Sequence, residues 1–171
     1  MSGQVQISMT GCVTSLHLHP QQPGDPLQSV ESFELVAGKG ISGNGRYFGR
    51  TSRKTGQPSR RQVSLIEREQ ISEHAAALGL ETIPPGSVRA NIETSGIDLI
   101  SLLGQRVAIG EAILHFYEPR TPCSKMDAIC LGLRELMEHN RQGMMAEVIQ
   151  SGRVKIGDSV TLLLQPTSLF G

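Results

Sequence analysis

The sequence predicts a mostly β protein, a closed or nearly closed β-barrel with a few short helices, built as one domain over residues 1–171. Three observations predict it. Short apolar runs recur at spacings of about 8–12 residues with glycine between them, the pattern of barrels and sandwiches. Helical periodicity is sparse, and the chain is rich in Gly, Val, Ile and Leu but has no Trp. Closing the sheet removes exposed strand edges, which otherwise template aggregation.

Each element has its own signal. Val5, Ile7 and Met9 alternate, as do Leu16 and Leu18, which predicts strands near the start. "HPQQPGDP" (19–26) is a Pro-rich loop, and "SVESFELVAG" (29–38) alternates again. "GKGISGNGRYFG" (38–49) is a glycine-rich loop; the polar stretch after it, to about residue 60, is expected to be disordered. "QVSLIE" (62–67) reads as a strand and "REQISEHAAALG" (68–79) as a helix stopped by Gly79. "VRANIET", "DLISLLG", "RVAIG" and "AILHFYE" follow as short apolar pieces. Ser151-Gly152 between two alternating runs predicts a hairpin.

Sixteen basic and sixteen acidic residues cancel, so no basic footprint for nucleic acid or anionic lipid exists at the whole-chain level. No apolar run approaches the ~20 residues of a membrane span. The N-terminus lacks a cationic, apolar leader pattern. Three cysteines form no disulfide pattern. The expectation is a cytoplasmic chain with free thiols.

Two cysteines invite comparison. Met126, Ile129, Cys130, Leu133 and Met137 share one helical face, so Cys130 reads as a small buried hydrophobe. Cys123 differs. Ser124 is a good N-cap, with Asp127 three residues on in a capping-box-like arrangement. Pro119 and Pro122 stiffen the approach, and Arg120 and Lys125 flank the thiol. These conditions favour a thiolate. A helix terminus supplies only ~0.3–1 kcal/mol, or ~2 in favourable geometry. A cation, or a ligand or metal, must complete the stabilisation. The alternative is that Cys123 simply packs under its loop.

Other motifs are weaker. Gly38-Lys39-Gly40-Ile41-Ser42-Gly43 matches G-x-G-x-x-G, but no amphipathic helix follows, so the phosphate-binding geometry is missing. Arg46 at the end of that loop is a possible anion contact or a solvated charge. His17, His19 and Cys12 lie near one another in sequence, too few for a convincing metal site. Arg89 and Asn91, two apart on a presumed strand, face the same way. They offer a phosphate fork and a heterocycle edge, or a plain polar face.

Together the pieces resemble a MOSC domain, the module named for the C-terminal part of molybdenum cofactor sulfurase. The resemblance rests on "GCVTSLHL", "GKGISGNGRYFG", "RQVSLIERE", "VRANIETSGIDLISLLGQRVAIGEAIL", Pro122-Cys123 and "SGRVKIGDSVTLLL", in that order. It implies a barrel that handles sulfur or molybdenum cofactor (molybdopterin). Cys123 would be a persulfide carrier or a molybdenum ligand. Arg89 and Asn91 would hold the pterin phosphate, with Arg46 and Arg120 as further cofactor contacts. In the metal-bound case, reduction of N-hydroxylated compounds would follow; the alternative is a non-catalytic molybdopterin-binding or delivery module. Implied partners are a cysteine desulfurase or persulfide donor and an electron-transfer protein. Gly43-Asn44 stands where the family often has Gly-Asp, which removes a charge. No aminotransferase-like part is evident, hence no pyridoxal phosphate site.

Overall fold

The computed structural model describes residues 10–164. The expected alternation of Val5, Ile7 and Met9 lies outside the described residues. Eleven strands and three short helices appear among those described. The strands are β1 (Thr10–Leu18), β2 (Gln28–Val30), β3 (Ser32–Val36), β4 (Gly40–Ile41), β5 (Val63–Glu67), β6 (Ile92–Ser95), β7 (Arg106–Ile109), β8 (Ala112–Pro119), β9 (Met144–Gln150), β10 (Gly152–Lys155) and β11 (Ser159–Leu162). The helices are α1 (Arg68–Ala77), α2 (Lys125–Ile129) and α3 (Leu133–Met137).

The barrel closes through the order β11-β7-β8-β9-β5-β6-β1, with β1 pairing back onto β11. Strand β2 extends from β1, and β10-β3-β4 form a small second sheet. All pairings are antiparallel except β5 with β6, which run parallel. That parallel pair needs a crossover, and α1 with the loop behind it provides one. As a result, the N-terminal ends of β5 and β6 open on one end of the barrel and their C-terminal ends on the other.

Two apolar cores organise the molecule. The first fills the barrel with inward residues such as Val13, Leu16, Leu65, Ile92, Leu114 and Phe116. The second lies outside it, under the helices, and joins Ile66, Ile71, Val88, Ala90, Met126 and Leu133. Burying one such side chain is worth about 1.5–3 kcal/mol. Val88 and Ala90 flank Arg89, and Met126 follows Cys123 by three residues. One core therefore anchors both of the segments expected to carry chemistry.

Several expectations are corrected. The helix drawn through Cys130 breaks: Cys130 takes extended angles, φ −158° and ψ 129°, and Gly132 is left-handed at φ 95°. Asp127 does not cap α2. Its Oδ1 accepts the N–H groups of Gly132 and Arg134, at 3.2 and 3.1 Å, and so turns the chain into α3. Ser124 makes no side-chain cap bond. Cys130 is half-buried against the outer core rather than sealed within it.

Ser151-Gly152 does not close a β9–β10 hairpin. Strand β9 pairs with β8 and β5, while β10 pairs with β3. The Ser151 hydroxyl instead accepts the Ala37 N–H at 2.8 Å and steers the chain into the small sheet. "DLISLLG" is a 3-10 turn, Leu99–Leu102, in which Leu99 and Leu102 are buried three apart. The segment after the glycine-rich loop, expected to be disordered, folds back on itself: Thr51 bridges to Pro58, and Ser52 and Ser59 donate backbone bonds to Gln57 and Arg50, each at 2.8 Å.

Candidate functional site

At the barrel end where β5 and β6 begin, a cleft of about 100 Å³ opens. His19, Asn44, Tyr47, Arg61, Asn91 and Arg120 are among its lining residues. A smaller arm continues past His19 and Tyr47 to Arg46, Arg89 and Lys125. No carboxylate lines either arm among the described residues. The His19 and Tyr47 rings, 4.8 Å apart between centroids, stand where the arms meet.

The floor is a hydrogen-bonded asparagine pair. Asn91 Oδ1 accepts the Ser64 N–H at 3.1 Å and the Ser64 hydroxyl at 3.0 Å. Its Nδ2 donates to His17 O at 3.1 Å and Asn44 Oδ1 at 3.0 Å. Asn44 Oδ1 also accepts the His19 N–H at 2.8 Å. Asn91 is 2% exposed and its amide is fully engaged. It is a rivet between β1, β5 and the glycine-rich loop, and it has no free heterocycle edge to offer. A neutral residue at position 44 fits this role, its Oδ1 accepting two N–H groups without adding charge.

Glycine places that loop. Gly45 has φ +55°, and a Cβ there would meet the Pro20 carbonyl oxygen at 2.6 Å. The 3-10 turn Gly45–Tyr47 follows, so the G-x-G-x-x-G match leads into no amphipathic helix. Arg46 is exposed and stands 5.3 Å over the Tyr47 ring.

Arg89 is not on a strand, because β6 begins at Ile92. It sits in the left-handed region at φ 64°. Its guanidinium donates through Nη1 to Asp25 O at 2.9 Å and lines the smaller arm. The loop carrying it is tied down from below. Glu93, fully buried, binds Arg68 through Nη2 at 2.6 Å and accepts the Gly86 N–H at 2.8 Å. A Cβ at Gly86, which has φ +85°, would meet His17 Nδ1 at 2.9 Å.

Arg120 donates to Val88 O and Gln142 O, at 3.2 and 3.3 Å, which ties the end of β8 to the Arg89 loop. Burial lowers its pKa to about 10, while the neighbouring Cys123 thiol acts in the opposite direction. It stays protonated at neutral pH. Cys123 itself is exposed and lies at the rim rather than in the lining of either arm. The five residues of α2 make too short a helix for a strong dipole at Cys123, and the field within the cleft is that of its cations.

The other rings report that field. Burial first, then the charges of Arg89, Arg120 and Arg46, lower the His19 pKa to about 4, so His19 is neutral near pH 7. Burial opposes ionisation of Tyr47, but the Arg46 hydrogen bond and the charges of Arg46, Arg61 and Lys125 outweigh it and lower its pKa. The arrangement is an anion-binding cleft with a thiol at its edge.

Of the expected site residues, Arg46, Arg89 and Arg120 surround this cleft, Asn91 forms its floor, and Cys123 stands at its rim. Arg61, Tyr47 and His19 were not foreseen as members. Adjacent arginines directly before a strand, "RRQVSLIE", were the available signal for Arg61. His17 and His19 do not form a metal site with Cys12. His17 is buried and bonded to Ser15 and Ser29, and Cys12 lies 3.2 Å from the Ser95 hydroxyl. Among the described residues no three His, Cys, Asp or Glu side chains converge on a metal position.

Known proteins agree with this architecture. The YuaD protein of Bacillus subtilis superposes with a TM-score of 0.74 at 22% identity, over 92% of this chain and 98% of that one. YiiM from Geobacillus stearothermophilus gives 0.70 at 16% identity, over 92% and 77%. YiiM from Escherichia coli gives 0.62 at 19% identity, over 94% and 71%. At these identities the likeness concerns the fold. Among curated protein sequences no relative is detected. The family model for the MOSC domain matches residues 39–161, which take in the glycine-rich loop, the asparagine floor, Arg89, Arg120 and Cys123; this chain belongs to the MOSC domain family.

Proposed function

We propose that the cationic cleft binds the phosphate-bearing end of a molybdopterin-type cofactor, and that Cys123 at its rim is the working thiol. The observation that carries this reading is the convergence of Arg46, Arg61, Arg89, Arg120 and Lys125 on one cleft without a carboxylate. Arginine forks match phosphate oxygens, and each charged hydrogen bond contributes about 1.5–3 kcal/mol. At about 100 Å³ the cleft is smaller than the ~300–1,000 Å³ of pockets that engulf a whole ligand. It suits one anionic end.

Neutral His19, its ring beside Tyr47 where the arms meet, adds no charge to the cleft. Exposure of Cys123 leaves it accessible to a protein donor. In sulfur transfer its thiolate attacks the outer sulfur of a donor persulfide, R–S–SH. The donor S–S bond breaks, R–S⁻ leaves, and Cys123 becomes the persulfide with no net oxidation. A cysteine desulfurase is the class of donor this step requires. Bound here, a molybdenum cofactor would supply redox chemistry such as reduction of N-hydroxylated compounds, with electrons from a separate donor protein.

The test pairs metal analysis and oxidised-pterin fluorescence of freshly purified protein with persulfide acceptance by wild type and Cys123→Ser. Cys123→Ser should fold normally and lose sulfur acceptance or cofactor-dependent activity, because a hydroxyl neither forms a persulfide nor ligates a soft metal well. Full function in Cys123→Ser, with pterin still bound, would make the protein a cofactor-binding or delivery module instead.

A further inference from the structure

The two ends of the parallel β5–β6 pair carry opposite charge. Their N-terminal ends open on the cationic cleft. Their C-terminal ends, where β5 runs into α1, open on a second cleft of about 400 Å³. Glu67, Glu69, Gln70, Glu73, Ile97 and Asp98 line it. Nothing in the proposed sulfur or cofactor chemistry uses it.

Acidic side chains alone would be a solvated patch. Here two acceptors are sequestered without donors. Glu67 is only 6% exposed, and its Oε1 has no hydrogen-bond partner. Gln70 Oε1, on the same wall, is likewise buried and unpartnered. Their neighbours are accounted for. Glu69 accepts the Gly96 N–H at 2.8 Å, and Glu73 pairs with Arg141 at 3.2 Å. Buried acceptors are almost always matched to donors. Burial raises the Glu67 pKa to about 7; the backbone N–H groups of Glu67 and Leu99 oppose the rise, and the charges of Asp98 and Glu69 add to it.

The missing donor has a definable chemistry. It must bring more than one N–H or O–H to reach two acceptors, and positive charge to suit the Glu67, Glu69 and Asp98 carboxylates. An ammonium group has three donors and no acceptor. A guanidinium presents a rigid planar fork, whereas the two unpartnered oxygens here belong to different side chains, Glu67 and Gln70. The carboxylates do not converge closely enough to ligate a metal ion directly. Ile97 gives the wall an apolar stretch against which an alkyl stem can lie. We propose that this cleft binds a short alkyl diamine, one ammonium donating to Glu67 Oε1 and Gln70 Oε1 and the other facing the Asp98 and Glu69 carboxylates.

The experiment is titration calorimetry of the full chain with 1,4-diaminobutane at pH 7.5 and low salt. Saturable 1:1 binding is expected, with proton release that makes the heat depend on buffer. 1,4-Butanediol should not bind, and magnesium at matched ionic strength should not compete. Nα-acetyl-lysine amide, with one ammonium, should bind at least threefold more weakly. Glu67→Gln should weaken diamine binding at least tenfold without lowering the melting temperature, and Asp98→Asn about threefold. The proposal fails if the diamine gives no saturable heat, in which case a neutral Glu67 bonds onward to Gln70 itself. It fails equally if magnesium displaces the diamine, if Glu67→Gln binds as wild type does, or if acetyl-lysine amide binds as tightly, which would reassign the cleft to a protein-borne lysine. Should Glu67→Gln not fold, binding to wild type without proton release overturns it. Cofactor content and persulfide acceptance are read separately, so neither result decides the other.

Discussion

Asn91 Nδ2 donates to Asn44 Oδ1 at 3.0 Å, so one buried amide joins the start of β6 to the glycine-rich loop 47 residues before it. The bond fixes the geometry of the cleft, because the same Asn44 oxygen holds the His19 N–H. Both halves of the Asn91 amide are occupied: its oxygen by Ser64, its nitrogen by Asn44 and His17.

Asn91→Asp therefore removes two donors and sets a carboxylate against the Asn44 and His17 oxygens. The expected loss is roughly 2–5 kcal/mol, from the two lost hydrogen bonds and a buried charge facing two oxygens. Urea denaturation of both proteins measures it. A loss below about 0.5 kcal/mol would mean that the amide is not the rivet described.

Arg89 separates backbone from charge. Its φ of 64° costs a non-glycine residue about 1–2 kcal/mol. Arg89→Gly should relieve that cost, while Arg89→Ala should not. Both should weaken binding of pyrophosphate, as a phosphate mimic, by about 1.5–3 kcal/mol. Calorimetry and thermal melts on the two variants check this. Unchanged affinity in both would remove Arg89 from the anion site.

Thiol access sets the order of alkylation. Cys123 and Cys12 are exposed, whereas Cys130 packs against the outer core. Brief treatment with iodoacetamide at neutral pH should label Cys123 and Cys12 well before Cys130. Peptide mapping by mass spectrometry reads the order, and early labelling at Cys130 would contradict the packing around Met126 and Leu133.

His19 makes stability depend on pH. Its folded pKa of about 4 lies below its ordinary value of 6.5, so the unfolded chain binds more protons between those values. The stability this group contributes is present above about pH 6.5 and is lost as pH falls toward 4. Glu67 runs the other way: its pKa, raised from 4.5 to about 7, gives stability that is lost as pH rises across that window. His19→Asn should flatten the acid-side loss, and Glu67→Gln the loss toward neutral pH. Denaturant midpoints from pH 4 to 7.5 for each variant test both signs.

The sequence by itself determined the barrel class, the strands around "QVSLIE" and "AILHFYE", and the helix after Arg68. Period-two and period-3.6 burial are local properties, and each strand had only to find its face. Met126, Leu133 and Met137 were also legible as one buried set, although the helix joining them breaks at Cys130. The fate of Asp127 was less legible. Its carboxylate could cap α2 or start α3, and both choices satisfy backbone N–H groups within seven residues of it. Only the packing of Met126 and Leu133 into the outer core decides between them. Likewise β10 leaves β9 for β3, because register and partner depend on where a distant strand lies. The assembly of the cleft belongs to tertiary structure. His19, Asn44, Arg61, Asn91 and Arg120 come from five separate segments, and of these only Asn91 and Arg120 were expected as cofactor contacts. Barrel closure brings them together; burial among the arginines then leaves His19 neutral, while the Arg46 hydrogen bond and the nearby cations outweigh burial and lower the Tyr47 pKa.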